Sequence, residues 1–333
     1  MQALFLGKNV INCANAKIAL WLEFKIRFLE NAVLPKWKGN IVRGSIGYVL
    51  RKLSCRNKAC NDCYSCQFNS ICAFGYLYKN AQRRPPGFLS KYRYFPNPYA
   101  LKPPLTRKEE FRKDDTLTFG IVLFGTAITF SDRIVTAVQE LGKLGLGRKN
   151  CRGRFEVEQL CAVQPFRRTK YVLLEDGQQF SWPSSECFIY LQDLGKRINK
   201  QFALEFISPA RIVQQGKFTL PQKFYDIFGF AMRKYSNIVR AYCCGQEMLN
   251  YKALKKFALN EVELVKKERE KIVKITYTKH GKPRKELYFV GRYIFRSSSA
   301  LPKDCRKVLN FCLLSNVGKR TTYGHGWYRI VPA

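Results

Sequence analysis

The chain has 333 residues, of which 59 are Lys or Arg and 24 are Asp or Glu, so its formal net charge is +35. An excess of this size predicts a polyanionic partner and is too large for an incidental surface charge. Hydrophobic residues make up 46% and aromatic residues 14% of the chain, which excludes a disordered basic tail and allows about two domains.

Nucleic acid is the expected polyanion, because the other usual partner, an anionic membrane, finds no support in the sequence. No apolar run approaches the roughly 18 residues of a membrane span, and residues 1–24 do not have the layout of a signal peptide. The 13 cysteines therefore indicate a reducing compartment, where clustered thiols bind metal more often than they pair. We expect a cytoplasmic protein.

The first half of the chain alternates strand and helix patterns around one long insertion. Strands are predicted at 18–29, 117–124 and 155–163, and helices at 41–53 and 131–143, the second with Ser131 as its N-cap. The helix at 41–53 is amphipathic, with Tyr48 and Arg51 away from its apolar face. Between the first helix and the next strand lie a cysteine-rich insertion at 55–78 and a proline-rich basic arm at 79–113, which holds ten Lys or Arg against two acids.

The second half repeats this order loosely. Its predicted elements are a strand at 201–207, a helix at 224–244, a charged helix at 254–270, a hairpin of 272–278 with 286–295, and a helix at 302–314 that Pro302 begins. Two βαββαβ units in series predict an α+β protein with two tandem ferredoxin-like domains, at 1–165 and 166–333. We expect the boundary between residues 164 and 178.

Two glycine loops support an internal duplication, since each follows a predicted helix and precedes a predicted strand. The first glycine loop (145–155) reads GLGRKNCRGRF, and the second glycine loop (316–326) reads NVGKRTTYGHG. Glycines let a backbone approach a phosphate closely, and interleaved cations add charge there. The predicted RNA-binding residues are Arg148, Lys149, Arg152 and Arg154 in the first loop, and Gly318, Lys319, Arg320, Thr321, Thr322 and Gly324 in the second.

Five cysteines of the insertion are dense enough to surround one tetrahedral ion, with the spacing C-x4-C-x2-C-x2-C-x5-C. The predicted ligands of a structural zinc are Cys55, Cys60, Cys63 and Cys72, with Cys66 as a substitute. An iron–sulfur cluster and unmetallated thiols remain alternatives, because the first three cysteines also have the spacing of a plant-type cluster loop.

Four segments together resemble the RAMP-superfamily CRISPR-associated endoribonucleases that process precursor CRISPR RNA. They are VRGSIGYVLRKL at 42–53, LGLGRKNCRGRFEV at 144–157, MRKYSNIVRAYCCG at 232–245 and VGKRTTYGHGWYRI at 317–330. The resemblance implies tandem ferredoxin-like domains, binding of CRISPR repeat RNA, and cleavage without a catalytic metal that leaves a 2′,3′-cyclic phosphate. Two departures concern the active site: Asn316 occupies the first position of a usual Gly-x-Gly, and no histidine precedes His280.

The catalytic candidates follow from RNA cleavage at its own 2′-hydroxyl, which needs alignment, proton transfer and stabilisation of phosphate charge. Imidazole chemistry must use one of the two histidines, His280 or His325. A route without histidine would use Tyr48 and Arg43, with the neighbouring lysines. In the basic arm, Arg83, Arg84 and Arg93 beside Tyr92 and Tyr94 suit backbone tracking and base stacking.

Three other functions remain open from the sequence. The chain would then be a non-cleaving RNA-binding subunit of a CRISPR effector complex, an iron–sulfur protein that docks on an acidic partner, or a general single-strand binder without sequence preference. In the first of these, other CRISPR-associated proteins are the expected partners.

Overall fold

The computed structural model describes residues 16–57, 62–63, 65–68, 71–79, 96–175, 179–243, 249–279 and 282–333. Its helices are α1 (Gly39–Ser54), α2 (Ser131–Leu144), α3 (Phe224–Ile238), α4 (Tyr251–Asn260) and α5 (Lys303–Ser315). Its strands are β1 (Lys17–Phe28), β2 (Ala32–Val33), β3 (Tyr99–Lys102), β4 (Glu110–Phe111), β5 (Thr116–Phe124), β6 (Leu146–Arg148), β7 (Cys151–Gly153), β8 (Phe155–Gln164), β9 (Thr169–Glu175), β10 (Ile189–Tyr190), β11 (Gln201–Ala210), β12 (Ile212–Gln214), β13 (Lys217–Thr219), β14 (Val262–Lys279), β15 (Lys282–Ser297) and β16 (Tyr328–Pro332).

The first sheet has the order β3-β5-β1-β8-β9, and β10 also pairs with β1. β1 lies at its centre and is antiparallel to both β5 and β8. Its apolar side chains are buried on both faces, from Ile18 to Phe28, as expected of a central strand covered by other elements. Helices α1 and α2 pack against each other beside this sheet.

The second sheet has the order β14-β15-β11-β16, and α3 and α5 pack against each other beside it. When the short strand pairs, β9, β10 and α4 are left aside, each half runs strand, helix, strand, strand, helix, strand. In both halves these four strands stand in the sheet in the order second, third, first, fourth. The fold is therefore mixed α and β, and the two halves have the same connectivity. One cluster of buried apolar side chains includes residues of both halves, so the halves share a core.

The hairpin of β14 and β15 extends beyond the second sheet. β15 pairs with β11 from Phe289 onward, whereas the β14–β15 ladder continues to the pair of Lys279 with Lys282. The outer part of the hairpin is therefore a two-stranded ribbon. No described helix combines the length and the apolar character that crossing a membrane requires.

The structure corrects two of the predicted elements. The charged helix predicted at 254–270 ends at Asn260, and the rest of it begins β14. Its charges alternate with Val262 and Leu264, and the ladder with β15 stabilises the extended form. The predicted basic arm contains β3, a fully buried strand of the first sheet. The sequence did not indicate this strand, because four residues between two prolines are too few to show a period.

Two further details differ from the sequence prediction. Ser131 is the first residue of α2, and its buried hydroxyl has no hydrogen-bond partner, so it does not cap the helix. Strands β9 and β10 join the first sheet, so a division at residue 165 does not separate the two sheets. The connection to β11 follows Tyr190.

Candidate nucleic-acid interface

The second glycine loop lies at the junction of the two halves, directly against the backbone of the first. A Cβ atom on Gly39, the first residue of α1, would lie 2.0 Å from the carbonyl oxygen of Tyr323. A Cβ on Gly324, which has φ +85°, would lie 2.7 Å from the ring of Pro103. Both contacts need glycine, so these two positions bring the loop, α1 and the segment after β3 together.

Most amides of the second glycine loop are used within the protein. Those that donate to protein acceptors are the amides of Val317, Lys319, Tyr323, Gly324, His325 and Gly326. A phosphate cradle needs backbone N–H groups that are free to bind an anion. These amides are therefore not available for that role, and the loop acts first as a folded connection between the halves.

Asn316 connects the loop to β3. Its φ of 58° is left-handed, its side-chain nitrogen donates to the carbonyl oxygen of Leu101 at 3.0 Å, and its Oδ1 accepts from Lys102 Nζ at 2.7 Å. Lys102 is 2% exposed and also donates to the carbonyl oxygen of Leu313 at 2.5 Å. Burial lowers the pKa of the Lys102 ammonium well below its usual range. Asn316 thus has a structural role that explains its presence in the glycine loop.

His325 lies in the middle of a three-ring stack. Its ring is 4.5 Å from that of Trp37 and 4.2 Å from that of Tyr288, centre to centre, with interplanar angles of 15° and 25°. The residue is 1% exposed, and Nδ1 lies 3.2 Å from the carbonyl oxygen of Pro209. Burial lowers the pKa of His325 to about 3. The imidazole is therefore neutral at neutral pH and is covered on both faces.

Arg320 forms an ion pair with Glu286 of β15, with 2.7 Å between Nε and Oε2. It also donates to Tyr277, and its guanidinium lies 4.1 Å from the centre of that ring. Burial raises the pKa of the Glu286 carboxyl, but hydrogen bonds from Arg320, Tyr288 and Tyr277 lower it more, to about 2. The charge of Arg320 is therefore already compensated within the protein.

Two further cations contact the second glycine loop. The guanidinium of Arg43 lies between the rings of Tyr78 and Tyr323, 4.8 and 4.3 Å from their centres. From α3, Lys234 donates to Thr321 Oγ1 at 2.6 Å, and burial lowers the pKa of its ammonium to about 8. Both side chains therefore pack against the second glycine loop, Arg43 from α1 and Lys234 from α3.

A cleft of about 880 Å³ separates the first half from the ribbon of β14 and β15. Its basic and aromatic lining residues are Lys36, Trp37, Arg107, Arg148 and Lys274. Glu109 also lines the cleft and lies 3.1 Å from Arg148 and 3.9 Å from Lys36. The cleft therefore has an excess of positive charge, and no ion pair to Arg107 or Lys274 is found among the described residues.

The first glycine loop forms the short hairpin of β6 and β7 and reaches the cleft through Arg148. Arg154 pairs with Glu30 at 2.6 Å. Lys149, Arg152 and, in the second loop, Lys319 are exposed. Gly318, which has φ +89°, packs against the carbonyl oxygen of Arg211, and Thr322 is half-buried. The predicted set thus divides into residues at the cleft, residues in the junction and exposed cations.

Other predicted residues lie elsewhere. Tyr48 is 57% exposed on α1, with the Lys52 ammonium 4.8 Å from its ring centre, and it does not line the cleft. Lys38 is fully buried and donates to three loop carbonyls. His280, Arg83, Arg84, Arg93 and Cys60 lie outside the described residues.

The predicted zinc site has no support in the described residues. Cys55, Cys63, Cys66 and Cys72 line one small cavity of about 20 Å³. However, no group of three or more His, Cys, Asp or Glu side chains in the described segments is arranged to hold a metal ion.

The sequence interpretation missed Trp37, Arg107, Lys274 and Lys102. Trp37 carried a usable signal, because it stands between two lysines and single-strand binders combine aromatic side chains with basic ones. Lys102 had none, since its burial depends on contacts with residues more than two hundred positions away.

Two family models match the chain. One, described as an N-terminal domain, matches residues 18–184, and the CRISPR-associated endoribonuclease Cas6 matches residues 204–328, which include the second glycine loop. The second half of this chain is therefore similar to Cas6. No curated protein sequence matches it.

Solved Cas6 structures have the same fold over nearly the whole chain. Thermus thermophilus Cas6 (TTHB231) is 13% identical, with a TM-score of 0.56, over 95% of this chain and 99% of its own. The Cas6 (TTHB231) product complex is 14% identical, with a TM-score of 0.57, over 94% and 100%. The partial Cas6-RT-Cas1–Cas2 complex is 12% identical, with a TM-score of 0.56, over 96% of this chain and 47% of that one. At such identities the similarity shows the fold.

Proposed function

We propose that this protein is a Cas6 endoribonuclease that binds CRISPR repeat RNA along the cleft and cleaves precursor CRISPR RNA. In this proposal a ribose 2′-hydroxyl attacks the neighbouring phosphate, and the products carry a 2′,3′-cyclic phosphate and a 5′-hydroxyl. The observation that carries it is a basic cleft between the halves of a Cas6 fold. We infer that the halves are tandem ferredoxin-like domains, because both have the same strand and helix order.

The proposed chemistry needs no metal, since the nucleophile is part of the substrate and the protein supplies alignment and charge. Lys36, Arg107 and Lys274 at the cleft would bind the phosphates and stabilise the negative charge of the pentavalent phosphate. The sequence predicted His325 as an acid or base. Its burial and its neutral state support instead a positioning role, in which it holds Trp37 at the cleft wall.

His280 is then the remaining imidazole candidate for proton transfer. In the sequence it lies between Lys279 and Lys282, the last residues that pair between β14 and β15. Imidazole is the side chain best suited to general acid and base catalysis near neutral pH.

A single-turnover assay in EDTA tests the proposal. The substrate is a repeat RNA, and its control replaces each 2′-hydroxyl in turn by hydrogen. We expect cleavage at one position, a cyclic phosphate product and complete loss of cleavage with the single deoxy substitution at that position. The variant His280→Gln should lose cleavage and keep RNA affinity, whereas activity that needs added divalent metal would contradict the proposed chemistry.

A second candidate function is a CRISPR RNA-binding subunit without nuclease activity. The specific observation in its favour is that His325 is enclosed between two rings, which leaves the described residues without an accessible imidazole. This candidate predicts tight repeat binding and intact RNA in the same assay. Equal affinity for repeat and scrambled RNA at matched salt would contradict both candidates.

Other Cas proteins are the proposed protein partners. The support is the similarity to one chain of a Cas6-RT-Cas1–Cas2 complex, of which this chain covers 47%. Copurification of the tagged protein with Cas proteins from its native host, with and without ribonuclease, tests this proposal. If no Cas protein copurifies even without ribonuclease, this proposal is contradicted.

A further inference from the structure

We propose that Trp37 is the stacking platform for one unpaired base of the bound RNA. This inference rests on the proposed function and adds to it a specific base-binding position. The ligand is the flat face of a single-stranded nucleobase, with the flanking phosphates on the basic side chains of the cleft.

The geometry of the three-ring stack leads to this position. Tyr288 is fully buried, and His325, the middle ring, is 1% exposed. Trp37 is the outer ring, is half-buried, and lines the cleft. Because His325 covers one face of the indole, the opposite face is the one on which a base in the cleft can stack. A base placed there would be the fourth ring in a column that begins in the core.

The segment that carries Trp37 is held in place. The buried ammonium of Lys38 donates to the carbonyl oxygens of Pro35, Lys36 and Thr106, at 3.3, 3.4 and 3.0 Å. A buried lysine that binds three loop carbonyls fixes the turn on both sides of Trp37. A fixed aromatic face loses little conformational entropy when a base stacks on it, which favours affinity.

The orientation of the indole leaves its own N–H unsatisfied. Trp37 Nε1 is buried and has no hydrogen-bond partner among the described residues. An unpaired buried donor is unfavourable, and a native structure that keeps one needs a compensating reason. The stack on His325 and the place of Trp37 in the cleft wall provide that reason.

The charges around Trp37 fit a nucleotide more closely than an uncharged aromatic ligand. Lys36, Arg107, Arg148 and Lys274 line the same cleft, against the one carboxylate of Glu109. Its volume of about 880 Å³ is within the usual range for a bound ligand of a few rings. Stacking with adjacent cations is the usual way in which proteins hold single-stranded RNA.

The test is a scan of abasic sites combined with substitutions of Trp37. Repeat RNAs carry one abasic site each, moved through the sequence, and the dissociation constants are measured for the wild type and for Trp37→Ala. We expect Trp37→Ala to weaken binding of intact RNA about 5- to 150-fold, which is the contribution of one stacked base. One abasic RNA should bind both proteins with nearly equal affinity, because the lost contact is the same.

Two further variants separate stacking from structure. Trp37→Phe keeps a flat ring and should restore most of the affinity, whereas Trp37→Leu fills the space over His325 without a flat face and should not. Trp182→Ala is the matched control, since Trp182 is 56% exposed and outside the cleft, and it should bind as the wild type does. If Trp37→Ala does not fold, the comparison of Phe and Leu decides.

The outcomes distinguish this inference from the proposed function. If the wild type has no preference for repeat RNA, the proposed function fails. If it binds the repeat but Trp37→Ala weakens every abasic RNA by the same factor, or none, the platform is overturned and the function stands. Equal affinities of the Phe and Leu variants would also overturn the platform.

Discussion

Lys102 and Asn316 form a buried hydrogen bond across the junction of the two halves, with 2.7 Å between Nζ and Oδ1. One residue ends β3 in the first sheet, and the other follows α5 in the second half. The Lys102 ammonium also lies 5.1 and 4.8 Å from the ring centres of Trp21 and Trp327. The same pair therefore closes the second glycine loop and joins the halves.

Replacing Asn316 by Ala should destabilise the protein by roughly 2–5 kcal/mol. The Lys102 ammonium loses one of its two acceptors and the Leu101 carbonyl loses a donor. The loss of such buried hydrogen bonds costs about 1–3 kcal/mol, and an alanine at a left-handed φ costs about 1 kcal/mol more. Urea unfolding at pH 7 measures the change. As a control, Asn260→Ala at the exposed end of α4 should remain within about 0.5 kcal/mol of the wild type. A loss below about 1 kcal/mol for Asn316→Ala would contradict the buried role.

Gly39 and Gly44 give a matched pair within α1. Gly39→Ala should destabilise by about 1–3 kcal/mol or more, because its Cβ meets the Tyr323 carbonyl and backbone cannot move aside cheaply. Gly44→Ala has open space around its Cβ and should stabilise by about 0.5–1 kcal/mol through helix propensity. Thermal unfolding of both variants measures the contrast. Equal effects at the two positions would show that the loop does not pack on the start of α1.

The buried His325 should make stability depend on pH. Its folded pKa is lowered to about 3, and the unfolded chain has the ordinary value, so the unfolded state takes up a proton first as the pH falls through about 6.5. Between pH 7 and pH 5 the free energy of unfolding should fall by about 2 kcal/mol from this group. Urea unfolding at both values measures it, and His325→Gln should remove this dependence. If the free energy of unfolding of His325→Gln depends on pH as that of the wild type does, His325 is not buried as described.

The cleft cations should determine the salt dependence of RNA binding. Arg107→Ala and Lys274→Ala should each reduce the slope of log K against log salt by about 0.7, the value for one contact to a single strand. Binding of repeat RNA between 50 and 300 mM salt, for example by filter assay, measures the slope. Arg329→Ala is the control, because Arg329 pairs with Glu205 away from the cleft. If the slope falls equally for Arg329→Ala, the RNA binds elsewhere on the surface and not along the cleft.

The sequence predicted the regular elements of this fold well where their periodicity is local. The strand at 18–29, the helices at 41–53 and 131–143 and the helix at 302–314 match β1, α1, α2 and α5 to within a few residues. The same reasoning failed for β3, because four buried residues carry no period, and for β14, because alternating charges resemble an exposed helical face until a partner strand is known.

The candidate site could be predicted only in outline. The second glycine loop and its neighbours at the start of α1 were recognisable, but the environment of each side chain was not. His325 is neutral and enclosed because Trp37 and Pro209, 288 and 116 positions away, pack on it. Such contacts join distant segments and leave no trace in local spacing.

The amino-acid sequence by itself determined the basic charge, the repeated strand and helix order and the family signature. Net charge and hydrophobic periodicity are properties of the sequence and do not depend on how the chain folds. Only the tertiary structure decided which groups are available: Asn316 bonds across the junction, Arg320 is neutralised by Glu286, and Trp37 lines the cleft. The burial of a side chain and its hydrogen-bond partners depend on which residues of the other half pack against it, and only the tertiary structure shows these.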